Sequence, residues 1–278
     1  MSAWQRPHPW LRPHPPTFTH SPHGSSPRWT WMGLVFIFGL TLAFIAAGSA
    51  AMSLAAAATS ASAPAAGNGS ASSALAQLIE TANRNLAKLE DLTASLEIVQ
   101  YNQQTGEKVT LTASLQMILP DTLRLTYLTP DFVAGQIMVL QQDVNELRVY
   151  LPVTHQVMVQ DLKKVMASHG VDIAVTLRNV ISLPPQSLFT LSDEGPTSLT
   201  GGQLARVIRA TPRQPVDSLG WEKIWVDPNS GFARQIQVYD PQGRLLYSIA
   251  VSNIKTNVGL AKAKVVALPK DAELVAAN

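Results

Sequence analysis

The chain has 278 residues, with 21 Lys and Arg against 19 Asp and Glu, and no cysteine. Without cysteine there are no disulfides, no thiolate metal site, no Cys nucleophile and no lipidated cysteine behind a leader. Three arginines (Arg6, Arg12, Arg28) precede the first acid, Glu80, so the rest is near neutral and lacks the basic run of a nucleic-acid binder.

Residues 1–32 are rich in Pro, His and Ser, and Arg6-Pro7-His8-Pro9 recurs as Arg12-Pro13-His14-Pro15. Prolines at this density remove backbone donors and forbid helix, so a disordered leader is expected. His8, His14, His20 and His23 have no Cys or carboxylate beside them and read as solvated side chains, not metal ligands.

No charge occurs from Trp29 to Ile79, and residues 33–58 carry the apolar run, densest over 34–47. The dense part has the length of a signal-peptide core, about 7–15 residues, and the whole run that of a spanning helix, about 20. Small residues follow at the spacing signal peptidase reads, at Ala55-Ala56-Ala57 and Ala61-Ser62-Ala63. A cleaved signal and a retained anchor both remain open. Either way the basic leader stays in the cytoplasm and the remainder is extracytoplasmic, expected in the periplasm. Residues 59–73 form a flexible Ser/Ala/Gly linker.

The folded domain is expected over residues 74–278. Leu75, Leu78, Ile79, Ala82, Leu86 and Leu89 recur at three and four, which predicts an amphipathic helix over 72–91. The period then changes to two. Val109, Leu111, Ala113, Leu115, Met117 and Leu119 alternate with Thr110, Thr112, Ser114 and Gln116, and Leu123, Leu125 and Tyr127 continue after Pro120-Asp121 as a hairpin. Further strands are predicted at 94–101, 136–141, 146–150 and 156–160, then a helical insert over 161–181. Strands resume at 203–210, 222–226, 233–239 and 244–254, with Asp-Pro turns at 227–231 and 240–243. Helix, six strands, helical insert and four or five more strands make a mostly β domain: an unclosed antiparallel half-barrel with a helical lid.

Catalytic motifs are missing. His155 and His169 stand at loops without ligand partners at useful spacing, and the carboxylates fall mainly at turns (Asp121, Asp131, Asp143, Asp227, Asp240). Asp193-Glu194 reads as a surface loop. The domain is therefore expected to bind rather than catalyse, with no cofactor and no metal.

Several segments together resemble periplasmic lipoprotein-sorting carriers (LolA-like proteins). Pro120-Asp121-Thr122-Leu123-Arg124-Leu125 is similar to their Pro-x-x-Leu-Arg hairpin. Asp143-Val144-Asn145-Glu146-Leu147-Arg148-Val149-Tyr150-Leu151-Pro152 is similar to a second hairpin, with Arg148 where an aromatic is common. Ile224-Trp225-Val226-Asp227-Pro228-Asn229-Ser230-Gly231-Phe232 resembles their Trp-Val-Asp-Pro turn, and Ala267-Leu268-Pro269 their closing motif. The resemblance spans about residues 75–274. It implies a half-barrel whose helices lie over an apolar cavity that takes acyl chains, with Arg124 in the position that holds the lid. Alternation alone puts Arg124 on the face opposite Leu123 and Leu125.

Two functions follow as expectations. The first is a carrier for lipid or for the acyl chains of an acylated protein, its cavity lined by Val109, Leu111, Leu115, Met117, Leu125, Tyr127, Met138, Leu140, Met158 and Leu177. The second is a tethered structural or regulatory module of the envelope that contacts an inner- or outer-membrane partner protein.

Overall fold

The computed structural model describes residues 69–168, 181–215 and 219–276. The leader, the apolar segment and linker residues 59–68 lie outside these, as do His169 and Leu177, whereas residues 69–73, read as linker, begin the first helix. Among the described residues, no helix is long and apolar enough to cross a membrane.

Helix α1 spans Gly69–Ala87 and buries Leu78 and Ala82. It ends short of the predicted boundary although Leu89 and Leu92 continue the spacing. The cause is Asp91, whose carboxylate accepts the backbone N–H groups of Val258, Gly259 and Leu260 (2.7–2.9 Å) and fixes residue 91 as the start of a strand.

Twelve strands form one sheet. They are β1 (Asp91–Tyr101), β2 (Lys108–Ile118), β3 (Thr122–Thr129), β4 (Ile137–Gln141), β5 (Glu146–Leu151), β6 (Gln156–Asp161), β7 (Phe189–Ser198), β8 (Leu204–Pro212), β9 (Trp221–Val226), β10 (Ala233–Tyr239), β11 (Leu245–Thr256) and β12 (Glu273–Ala276). The order is β12-β6-β5-β4-β3-β2-β1-β11-β10-β9-β8-β7, so β12 and β7 are edges and the barrel is not closed. All neighbours are antiparallel except β12 with β6. Helix α2 (Leu162–Ser168) follows β6, and the short α3 (Lys262–Val265) precedes β12.

Every strand of the sequence reading is present, and two lie outside it. β7 contains Gly195 and Pro196, which read as a loop. An edge strand tolerates both, since one side of it makes no ladder bonds. Asp193 and Glu194 therefore lie in a strand, not a loop, with Glu194 exposed and the Asp193 side chain nearly buried. A register shift at this point sends Asp193 to Arg206 in β8 and Glu194 to Lys223 in β9 (2.9 Å). β12 is too short to show alternation, and its pairing depends on a segment far away in sequence.

Antiparallel pairing defines two ends. The start of β1, the β2–β3, β4–β5 and β9–β10 turns and the ends of β6 and β11 share one, here the closed end. The β1–β2, β3–β4 and β5–β6 turns share the other, the open end. At the closed end α1 seats on the β9–β10 turn, where Asn85 donates to the Ser230 carbonyl (2.8 Å). Gly231 is obligatory there: its φ is +72°, and a Cβ would come within 2.4 Å of the Ala82 Cα. Asp227 shapes the same turn by accepting the N–H groups of Asn229 and Ser230 and pairing with Arg234 (2.8 Å). Burial opposes ionisation of Asp227, yet these bonds hold its carboxyl below the usual range.

Candidate functional site: the apolar face of the half-barrel

Ladder register carries one continuous apolar row set across β1 to β5. Leu92, Ala94, Leu96 and Ile98 of β1 face Met117, Leu115, Ala113 and Leu111 of β2. Leu123, Leu125 and Tyr127 extend this on β3, Leu140 and Met138 on β4, and Leu147 and Val149 on β5. All are buried, and the sheet curls with this face inward.

The two ends of the face differ. At the closed end Leu92, Met117, Leu123, Leu140 and Leu147 are almost wholly buried, joined by Leu162 at the start of α2. That helix is fixed by Asn145, whose carbonyl and side-chain oxygens accept the N–H groups of Leu162 (3.0 Å) and Lys163 (2.9 Å). At the open rim burial relaxes. Val109 is 41% exposed, and the nearby loops expose Phe132 (63%) and Val153 (88%), while Met158 is half-buried on the lateral strand β6.

The predicted lining residues Leu111, Leu115, Met117, Leu125, Tyr127, Met138 and Leu140 therefore share one buried face. Met158 joins it through its register with Val149, and Val109 stands at its open rim. Arg124 stands on the opposite face, where alternation put it. Its Nη1 donates to the carbonyls of Val265 (3.1 Å) and Ala267 (2.5 Å), so it clamps the C-terminal segment to the back of the sheet. Burial lowers its pKa. Arg148 also lies on the back, bonded to Gln141 and close to Glu146 (3.6 Å).

The C-terminal segment forms a strap across that back face. It starts at Asp91, passes the closed end with Lys262 between Asp121 (3.2 Å) and Asp143 (2.8 Å), and buries Val265. It then crosses over Arg124 and reaches the open end, where Asp271 meets His155 Nε2 (3.1 Å) and β12 pairs with β6. His155 is an exposed turn histidine, as its place in a loop suggested, and its Nδ1 also bonds the Tyr150 hydroxyl (3.0 Å). The hydrogen bond from Lys262 holds the Asp143 carboxyl below its usual range and raises the lysine. The sequence did not signal the strap: the resemblance gave Arg124 the place that holds the lid, whereas its contacts here are with Val265 and Ala267.

Sequence reasoning missed a set of polar residues on the same face, running from β1 across β11 to β9. Ladder register runs from Gln100 through Tyr247, Val238 and Glu222 to Ala210. The next row towards the closed end is Ile98, Ile249, Ile236, Ile224 and Ile208, then Asp193 of β7. Burial pushes the Glu222 carboxyl up to about 7 and Tyr247 well above its ordinary value. Period two marks these positions as inward, but their identity made them look like solvated residues.

No protein-family model and no curated protein matches the sequence. Solved structures do. An uncharacterized conserved protein from Thermus thermophilus is 16% identical, the match covering 73% of this chain and 99% of that one at a TM-score of 0.50. Lipoprotein LppX of Mycobacterium tuberculosis is 12% identical over 68% of this chain and 98% of that one, at 0.44. A LolA superfamily protein from Nitrosomonas europaea is 11% identical over 69% and 97%, at 0.37. The likeness at these identities is one of fold.

Proposed function

We propose that this chain is an extracytoplasmic binding protein that carries acyl chains of a lipid or an acylated protein on the apolar face of its half-barrel. The observation behind this reading is the continuity of that face, buried from Leu92 and Leu147 at the closed end through Leu111 and Ile98, and reaching solvent at Val109 on the open rim and at Met158 on β6. An alkyl chain lying along it would gain roughly 25 cal/mol for each Å² of apolar surface removed from water. Val109, Leu111, Leu115, Met117, Leu125, Tyr127, Met138, Leu140 and Met158 would line the path, and Leu177 is proposed to join them. The reading assigns binding and no catalysis, and it takes residues 33–58 as the segment that exports the domain to the periplasm.

Protein recovered from the cell envelope and extracted for lipid mass spectrometry should yield acyl lipid in stoichiometric amount. Consistently lipid-free protein that also fails to bind a fluorescent fatty acid would remove the carrier reading. Stable co-purification with one protein partner that survives delipidation would replace it with the tethered-module reading.

A further inference from the structure

The apolar face is not uniform. Strands β2 to β6 are apolar at every inward position named above, whereas β1, β11 and β9 place polar side chains at the open end. Gln100, Tyr247 and Glu222 lie in one ladder row, on β1, β11 and β9 respectively. Val109 pairs with Gln100 in β2 and is partly exposed, so this row meets the solvent at the rim. It is remote from the closed end, where α1 packs on the β9–β10 turn.

Two members of the row are incompletely satisfied. The Gln100 Nε2 is fully buried and has no hydrogen-bond partner among the described residues. An orphaned buried amide donor is unfavourable, so its persistence calls for an explanation. Glu222 is held up by burial alone, with neither a hydrogen bond nor a cation among the causes. The row itself contains no cation. Arg206, which register places on the same face of β8, is already paired with the buried Asp193. Lys223 and Arg209 alternate to the back, where they lie over Trp225 (5.5 Å) and Trp221 (4.1 Å).

We infer that Gln100, Tyr247 and Glu222 form the subsite for the polar head of the bound amphiphile, and that this head is neutral and rich in hydroxyl or amide groups. This rests on the acyl-chain reading and deepens it. Gln100 offers a donor to a hydroxyl or carbonyl oxygen of the head. Glu222 takes a hydroxyl or amide hydrogen, or gives its own proton when neutral, and the Tyr247 hydroxyl lies on the strand beside Gln100. Among the described residues a phosphate or free carboxylate has no cation to meet there, and it would sit against Glu222, a desolvated like charge. The tail then runs from this row over strands β2 to β6.

The test uses the full-length chain in envelope membranes and two photo-crosslinking probes with the same diazirine-bearing palmitoyl-length tail. One carries a monoacylglycerol head and the other is the alkyl phosphate. Peptide mass spectrometry reads labelling on the inward residues of β2 to β4. The expected result is labelling by the glyceride at least about tenfold above the phosphate, a difference that falls to near parity in the Gln100→Leu/Glu222→Leu double variant. Glu222→Gln, which keeps shape and hydrogen-bonding capacity, should preserve the preference. If the double variant does not fold, the wild-type ratio and Glu222→Gln decide the matter. Equal labelling of the inward residues by both probes in the wild type, or preference for the phosphate, overturns the head subsite while leaving acyl binding intact. No inward labelling by either probe overturns the acyl-chain reading itself.

Discussion

Gly231 and Glu222 illustrate how much one residue decides here. The chain at Gly231 is left-handed and touches the backbone of α1. Gly231→Ala should therefore destabilise the protein by about 2–4 kcal/mol in urea denaturation, combining the strained φ with the displacement of α1. Glu222 acts through its proton. Its folded pKa, about 7, lies above the ordinary carboxyl value near 4.5, so the folded state favours the protonated form. Stability from this group is thus full below pH ~4.5 and declines as pH rises through about 7. Urea midpoints of wild type and Glu222→Gln should be similar at pH 4.5 and diverge by pH 8, with the glutamine variant the more stable. A constant difference across that range would contradict the assignment. Neither role was legible in the sequence. Gly231 was read as an ordinary turn glycine, because its contact with Ala82 spans about 150 positions. Glu222 was hidden because a lone carboxylate in a strand carries no motif.

At the scale of elements, alternation proved the strongest guide and edges the weakest. β2 and β3 were legible nearly to the residue, since one face of each is buried except at its open-end rim and a one-residue slip would expose it. β7 and β12 were not legible: edge strands need no period-two pattern, and the pairing of β12 with β6 is set by the strap between them. The strap also gives Arg124 its observed contacts. Replacing Arg124 with Met keeps the stem and removes both charge-assisted bonds to the Val265 and Ala267 carbonyls. Loss of about 1.5–3 kcal/mol is expected for that pair of contacts. Hydrogen exchange should locate it, with faster exchange at Val266 and over Glu273–Ala276 and little change in β8 to β10. Faster exchange throughout β1 to β5 instead would mean that Arg124 supports the sheet directly.

At the scale of the whole molecule, composition and period were enough to give a mostly β domain with an inward apolar face. Its order of strands, the closed and open ends, and the polar row on that face came only from long-range pairing. The open end ties the molecule to its proposed function, because exposed apolar side chains at Val109, Phe132 and Val153 surround the way in. The central claim, that an acyl chain lies along this face, is tested most directly by methyl NMR. With ¹³C-methyl methionine and leucine, addition of a doxyl-labelled fatty acyl glyceride should broaden Met138, Met158 and Leu111, with Leu128 on the back of β3 unaffected. Unchanged inward methyls, or broadening confined to Leu128 and other outward methyls, would contradict it.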